Sequence, residues 1–205
     1  MTLVEIERKR ALDTRSAELL LARLGELGFT ATRPAREVDT YYSRPDVDFM
    51  ETVECLRVRQ GPVRCEITYK PASDQSTHSA DGTIAKQETN VALADPDQGG
   101  PAHQFLGALG MVLLAEVDKS RVSYRHPDDA ELAVVVDTVA GLGTFVETEV
   151  LSSRSHTQAL AQLTETERLL GLQDCPVVCQ PYRDLVMENS VRGSTGNHSA
   201  ARGGP

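Results

Sequence analysis

Apolar and polar residues alternate with the two-residue period of a β-strand in about eight segments of this chain. The first segment covers residues 3–11. Because successive side chains of a strand point to opposite faces, it places three charged residues on one face: Glu5, Glu7 and Lys9. Most successive segments are joined too tightly for parallel crossovers, so we predict an antiparallel meander that closes into a barrel.

The other predicted strands are, in chain order, residues 38–45, 54–60, 64–70, 84–93, 113–125, 131–141 and 143–151. Leucines at helical spacing predict one helix from Asp13 or Thr14 to about Leu27 and another after Ser155. Two shorter helices are expected, at residues 101–109 and in the segment PYRDLV, residues 181–186. The pattern therefore predicts an α+β protein, an antiparallel barrel with flanking helices.

Charged residues also alternate on several of the later strands. Bases predominate on the middle strands and acids on the last ones: Arg57, Arg59, Lys70, Lys86, Lys119 and Arg121, then Asp137, Glu147 and Glu149. For any single strand, the simpler interpretation is a charged face in water. Taken together, clusters of one sign favour an inward-facing wall that holds an anion on its bases and a divalent cation on its acids.

Composition narrows the function classes. The chain has 205 residues, 40% of them apolar, which suffices for one globular domain. We place this domain at residues 1–189 and expect a disordered C-terminal tail at 190–205, from its small and polar composition. A formal net charge of −9 argues against a non-specific nucleic-acid binder, because a phosphate backbone needs a broad cationic surface.

No apolar run reaches membrane-spanning length and no charged-then-apolar leader opens the sequence. We therefore expect a cytoplasmic protein without membrane contact. Cys175 and Cys179 have a spacing that a metal site could use, but no His or Cys pair accompanies them nearby. Reduced thiols packed as small apolar groups are the favoured interpretation.

The segment EIERK, residues 5–9, resembles the ExExK signature of the CYTH superfamily, the triphosphate tunnel metalloenzymes. Other segments resemble further motifs of that family, in its order: DTYY (39–42), LRVR (56–59), TYK (68–70), KQE (86–88), DKSR (118–121), VVDTVAGLGTFVETE (135–149) and PYRDLV (181–186). The resemblance covers roughly residues 3–187 and is nearest to bacterial class IV adenylate cyclase-like proteins. It implies an eight-stranded antiparallel β-barrel tunnel with flanking helices.

The resemblance also implies roles for the charged residues. The ligands of Mg²⁺ or Mn²⁺ would be Glu5, Glu7, Glu147 and Glu149, with assistance from Asp137. Phosphate oxygens would be held by Lys9, Arg57, Arg59, Lys70, Lys86, Lys119 and Arg121, of which Lys9, Lys70, Lys119 and Arg121 are the candidate catalytic residues. Lys86 stands where the family often has Arg, so it keeps the charge but not the bidentate geometry.

Two reactions fit such a pocket. As a class IV adenylate cyclase, the protein would convert ATP into cyclic AMP and pyrophosphate; as an inorganic, thiamine or nucleoside triphosphatase, it would release orthophosphate. The motif set favours the cyclase. A third hypothesis is a noncatalytic polyphosphate or nucleotide sensor, which would gain little from four carboxylates. The expected partners are a nucleoside triphosphate or inorganic tripolyphosphate, and the resemblance suggests a homodimer.

Overall fold

A computed structural model describes residues 4–73, 77, 81–152 and 155–196 of the chain. Its strands are β1 (Val4–Leu12), β2 (Thr30–Ala31), β3 (Ala35–Ser43), β4 (Cys55–Gln60), β5 (Cys65–Lys70), β6 (Ile84–Lys86), β7 (Thr89–Ala92), β8 (Val112–His126), β9 (Asp129–Val139) and β10 (Gly143–Ser152). Its α-helices are α1 (Thr14–Glu26), α2 (Gly99–Ala108), α3 (His156–Leu170) and α4 (Tyr182–Gly196), and a short 3-10 turn covers Pro96–Gln98.

All strands belong to one antiparallel sheet with the order β6-β1-β10-β9-β8-β3-β4-β5-β7, and β2 pairs with β8 at its side. The two edge strands, β6 and β7, are separated only by Gln87 and Glu88. One stretch of chain therefore pairs first with β1 and then with β5, and so completes the ring. Counted as one strand, β6 and β7 make the eight-stranded tunnel that was predicted.

The strand count differs from the prediction for a physical reason. A single strand was expected at residues 84–93, but it changes neighbours at Gln87 and Glu88, which leaves that position without ladder hydrogen bonds. The second additional strand, β2, contains only two residues, Thr30 and Ala31. Neither difference alters the tunnel.

The sequence signals for the two long helices are confirmed. The Asp13 side chain caps α1 by accepting from the Ser16 backbone N–H at 2.7 Å. Ser155 caps α3 in a reciprocal capping box with Gln158. In both cases the cap satisfies a backbone donor that has no partner within the helix.

Most of the apolar core lies outside the tunnel, between the sheet and its helices. Helices α1 and α3 cover the outer faces of β1, β9 and β10, where Leu24, Val134 and Leu163 are fully buried. Helix α2 covers the outer faces of β3, β4 and β5 around Val58 and Leu106. Burial of this outer surface leaves the inward-facing side chains free to be polar.

Helix α4 begins inside one end of the tunnel. Tyr182, in its first turn, packs with Tyr41 and Phe145 in an apolar cluster that closes this end. The predicted short helix at residues 181–186 is thus present but longer, and residues 190–196, assigned above to a disordered tail, are helical. Residues 197–205 lie outside the described part of the chain.

Candidate active site

The alternating charged positions converge on a single cavity of about 860 Å³ inside the tunnel. Every site residue predicted from the sequence lines this cavity except Asp137, which is fully buried behind it. The register explains the convergence, since β1 pairs with β10 so that Glu7 lies opposite Glu149 and Lys9 opposite Glu147. The inward interpretation of the charged faces is therefore correct.

Three carboxylates form a compact group at one side of the cavity. Glu5, Glu7 and Glu149 each offer an oxygen within 4.8 Å of the others. Burial, together with the neighbouring Glu147 and Glu7, raises the pKa of Glu149 to about 7 against the pull of Arg121. Burial also raises the pKa of Glu5 well above its usual range, although Lys70 opposes the shift.

Such mutual repulsion is relieved when a cation joins the group, and carboxylate oxygens are the ligands that Mg²⁺ and Mn²⁺ prefer. The chemistry of Glu5, Glu7 and Glu149 therefore fits a divalent cation. The remaining coordination positions of such a cation would be open to water or to phosphate oxygens, because Mg²⁺ in proteins usually keeps several non-protein ligands.

Glu147 and Asp137, the other two predicted metal ligands, lie against Arg121. The Arg121 guanidinium donates to both Asp137 oxygens, at 2.8 and 2.5 Å, and to Glu147 at 2.9 Å. Burial would raise the pKa of Asp137, but Arg121 and Lys119 outweigh it and lower that pKa. In this arrangement Asp137 holds Arg121 in place, and a metal role for these two carboxylates stays a prediction.

A basic wall faces the carboxylate group. Asp39 is fully buried, and it accepts two hydrogen bonds from Arg59, at 2.6 and 2.8 Å. Lys119 approaches the same carboxylate at 3.2 Å. Burial acts to raise the pKa of Asp39, but Arg59, Lys119 and Arg57 together hold it well below its usual range. Burial, with Arg59 and Arg121 nearby, lowers the pKa of Lys119 to about 8.

Lys70 and Arg57 connect the basic wall to the acidic group. Lys70 Nζ lies 2.9 Å from Glu5 and 3.0 Å from Glu88, and Arg57 lies 3.7 Å from Glu88. Despite its burial, Glu88 has a lowered pKa because it interacts with Glu5, Lys70 and Arg57. Arg57 Nε is buried and donates to no residue in the described part of the chain. That N–H is available for an anionic ligand.

Two of the predicted phosphate-binding lysines donate to backbone carbonyls. Lys9 Nζ donates to the Gln180 carbonyl at 2.6 Å and lies 4.3 Å from the centre of the Tyr182 ring. Lys86 Nζ donates to the Val53 carbonyl at 2.6 Å. Both lysines line the cavity. Lys9 lies near the end that α4 closes, and Lys86 lies near the loop before β4.

The opposite end of the cavity is open. Its lining there includes three exposed arginines and two exposed apolar side chains: Arg33, Arg64, Arg125, Val63 and Leu151. The aromatic rings that line the cavity, Tyr41 and Tyr182, belong to the closed end. An extended anion could therefore pass from the mouth to the basic wall without leaving cationic surroundings.

Several acids of this site have no role assigned from the sequence, among them Glu37, Asp39 and Glu88. Glu37 and Asp39 share an inward face of β3 with Tyr41, a two-residue spacing that could have revealed them. Glu88 lies two residues after Lys86, so the same spacing applies to it. These acids were overlooked because an anion-binding wall is not expected to contain carboxylates, whereas buried cations need them.

The family model of the CYTH domain matches residues 3–175. The chain belongs to the CYTH domain family. The match includes every strand of the tunnel and every predicted site residue, so the family assignment covers the whole cavity wall except for α4. The described part of this CYTH domain contains no helix long and apolar enough to span a membrane.

Relatives of the chain carry two kinds of name. A Methanocaldococcus jannaschii protein named "Putative adenylate cyclase" is 25% identical over 186 residues, which are 89% of this chain and 98% of that protein. The structure of the PH1819 protein from Pyrococcus horikoshii has a TM-score of 0.71 at 24% identity and covers 90% of this chain and 98% of its own.

A third solved structure is that of a Hippeastrum protein, named "Putative adenylyl cyclase" and described as having a dominant triphosphatase activity. It has a TM-score of 0.59 at 17% identity, with 82% of this chain and 88% of that chain covered. At these identities the two solved structures confirm the tunnel fold of the CYTH domain and no more.

Proposed function

We propose that this CYTH domain is a metal-dependent enzyme that cleaves a triphosphate inside its tunnel. The observation that carries the proposal is the juxtaposition of the Glu5, Glu7 and Glu149 carboxylates with a continuous basic wall in one buried cavity. A metal–polyphosphate complex carries charge of both signs, and this cavity offers the complementary charge on either side. A simple anion-binding protein would gain nothing from the carboxylate group.

The side chains would act by position and charge. Arg57, Arg59, Lys119 and Arg121 would hold the phosphate oxygens, while Lys9 and Lys70 lie at the border with the carboxylate group. A bound Mg²⁺ or Mn²⁺, held by Glu5, Glu7 and Glu149, would neutralise the charge that develops on the phosphate oxygens. Phosphoryl transfer needs little more than this positioning and neutralisation.

The first candidate reaction is the conversion of ATP into cyclic AMP and pyrophosphate. The ribose 3′-oxygen would bond to the α-phosphorus, the bond from that phosphorus to the bridging oxygen would break, and pyrophosphate would leave. The name of the M. jannaschii relative, aligned over 98% of its length, supports this order of preference. Val63 and Leu151 at the open end offer apolar surface for a nucleoside.

The second candidate reaction is hydrolysis, in which a water oxygen bonds to the terminal phosphorus, the bond from that phosphorus to the bridging oxygen breaks, and orthophosphate and the remaining diphosphate are released. Two observations favour it. The Hippeastrum protein of the same fold is described as having a dominant triphosphatase activity. In addition, the aromatic rings that line this cavity lie at the closed end, where Lys9 and Phe145 already contact Tyr182. Among the described lining residues, the open end therefore offers no aromatic ring on which an adenine base would stack.

One experiment tests the proposal and separates the reactions. The purified protein is incubated with Mg²⁺ or Mn²⁺ and, in parallel, ATP or tripolyphosphate, and cyclic AMP, pyrophosphate and orthophosphate are measured. Cyclic AMP with equimolar pyrophosphate from ATP supports the cyclase. Orthophosphate from tripolyphosphate without cyclic AMP supports the hydrolase. Tight binding of either compound without turnover would overturn the enzyme proposal in favour of a sensor.

A further inference from the structure

Glu37, on β3, lines the cavity, and it differs from Asp39 in the hydrogen bonds that its carboxylate accepts. It is 6% exposed, and three cations surround its Oε2 atom: Arg59 Nε at 3.4 Å, Lys119 Nζ at 3.7 Å and Arg121 Nε at 3.7 Å. Oε2 nevertheless accepts no hydrogen bond from any residue in the described part of the chain. The other oxygen, Oε1, lies 3.7 Å from Arg64 Nη2.

The surrounding donors point elsewhere. Arg59 Nε donates to Asp39 at 2.6 Å, and Arg121 Nε donates to Asp137 at 2.8 Å. Lys119 lies closer to Asp39, at 3.2 Å, than to Glu37. Glu37 thus contributes negative charge to the wall without receiving the hydrogen bonds that normally compensate a buried carboxylate.

From this geometry we infer that Glu37 is a built-in competitor for the phosphate site and weakens the binding of every anion that occupies it. Its Oε2 atom lies where three cations converge, which is a position suited to a phosphate oxygen. Because Oε2 accepts no hydrogen bond from the described residues, moving it away costs none there. A bound phosphate group either displaces the Glu37 carboxylate or binds close to its negative charge, which weakens the binding.

The consequence is that anions with few other contacts are not retained. Every anion that reaches this part of the wall meets the same unfavourable charge. A triphosphate offsets that cost through additional contacts with Arg57, Lys70 and the carboxylate-bound cation, whereas orthophosphate has few contacts and pyrophosphate fewer than a triphosphate. Glu37 therefore disfavours retention of either reaction's inorganic product.

The test measures binding without turnover, and it rests on the proposed function only in its choice of ligand. Tripolyphosphate, pyrophosphate and orthophosphate are titrated calorimetrically into the wild type and the Glu37→Gln variant in the presence of EDTA. We expect Glu37→Gln to bind tripolyphosphate and pyrophosphate at least tenfold more tightly. The ligand-free variant should melt at a lower temperature, because the three cations lose a counter-ion, and its melting temperature should rise more on adding tripolyphosphate.

Two further variants keep the result interpretable. Glu37→Asp retains the charge, so its affinities should remain near those of the wild type. Glu66→Gln removes a cavity-lining carboxylate that approaches Arg59 and Arg64 no closer than 3.9 Å, and its affinities should change less than threefold. A Glu37→Gln variant that melts lower and also binds these anions no more tightly than the wild type would make Glu37 purely structural and overturn the inference.

The same titrations distinguish this inference from the proposed function. If the wild type binds tripolyphosphate and Glu37→Gln fails to tighten it, the inference alone is wrong. If neither protein binds tripolyphosphate or pyrophosphate at millimolar concentration, in EDTA and again with Mg²⁺ or Mn²⁺ in its place, both are wrong, because the basic wall then does not hold polyphosphates at all.

Discussion

Strand β1 carries charge on both of its faces, and the two faces are stabilised differently. The tunnel face presents Glu5 and Glu7, two carboxylates that lie close to a third. The outer face presents Arg8 and Arg10, which are 4% and 8% exposed beneath helix α3. Both faces remove charge from water, but the outer face pairs its guanidinium groups with a buried carboxylate, whereas the tunnel face pairs Lys70 with Glu5 and still groups three carboxylates together.

The outer face is a network of ion pairs and hydrogen bonds. Glu167, 2% exposed, accepts from Arg8 at 2.7 Å and from Arg10 at 2.9 and 3.0 Å. Arg8 also donates to Thr83 at 2.8 Å and to Asp81, and Arg10 donates to the Cys175 carbonyl at 2.7 Å. The carboxylate group of the tunnel has raised pKa values at Glu5 and Glu149 instead. Charges of opposite sign in close contact indicate a structural role, whereas a concentration of charge of one sign indicates a ligand.

The largest effect on stability should come from breaking the outer network. Glu167→Gln preserves the shape but leaves two buried guanidinium groups with a neutral partner, and removal of one member of a buried ion pair typically costs about 3–5 kcal/mol. Urea denaturation followed by circular dichroism measures the loss. The control is Glu165→Gln on the same helix, whose exposed pair with Arg168 should contribute nothing measurable.

Turnover per folded molecule should be unchanged in Glu167→Gln. A large loss of turnover at full folding would mean that the outer network positions the tunnel residues. The division of β1 into a structural face and a functional face would then be wrong.

The sequence predicted the tunnel face well and the outer face poorly, and the reason is physical. Alternation on a strand is local, so Glu5, Glu7 and Lys9 could be grouped from one segment. The partner of Arg8 and Arg10 lies more than 150 residues away, on a helix whose buried side was predicted from leucines alone. Glu167 occupies that buried side, whereas Leu169, two residues later, is 44% exposed.

The roles of the site residues are likewise only partly predictable from local alternation. The inward position of the predicted cations follows from alternation, but their counter-ions Asp39 and Glu88 could not be assigned before the register of β3 and the break at Gln87 were known. Strand register depends on hydrogen bonds between distant segments, which a local pattern does not contain. The homodimer and the identity of the metal also stay predictions.

The next largest effect should separate function from stability on the tunnel face. Glu149→Gln removes a proposed metal ligand, and we expect turnover to fall about 100-fold, or ~2.7 kcal/mol of transition-state stabilisation. Orthophosphate, pyrophosphate and cyclic AMP release measure this loss. The control, Glu66→Gln, removes a cavity carboxylate outside the group and should retain turnover within a few-fold.

The stability of Glu149→Gln should be equal to or greater than that of the wild type at pH 8 without metal. A carboxyl group whose pKa rises on folding, here to about 7, destabilises the folded state as pH increases from about 4.5 to 7, and the full cost persists above that range. Removing the ionisable group removes this cost. A clear loss of stability would show that Glu149 is compensated in the same way as Glu167.

A smaller effect should appear in the pH dependence of anion binding. With its pKa lowered to about 8, Lys119 is cationic below that pH and increasingly neutral above it. Metal-free binding of tripolyphosphate should therefore weaken by up to tenfold between pH 7 and 9, relative to a Lys119→Met variant measured in parallel. The ratio of the two affinities cancels the titration of tripolyphosphate itself. A constant ratio would mean that Lys119 keeps its charge throughout this range.

The smallest expected effect tests whether burial sets the strength of the outer network. Asp81 pairs with Arg8 like Glu167, but its side chain is 46% exposed. Asp81→Asn should therefore cost only about 0.5–1 kcal/mol, because water competes for the exposed carboxylate and Arg8 keeps its bonds to Glu167 and Thr83. Urea denaturation beside Glu167→Gln gives the comparison. Equal losses for the two variants would show that the number of partners, and not their burial, sets the stability of the outer face of β1.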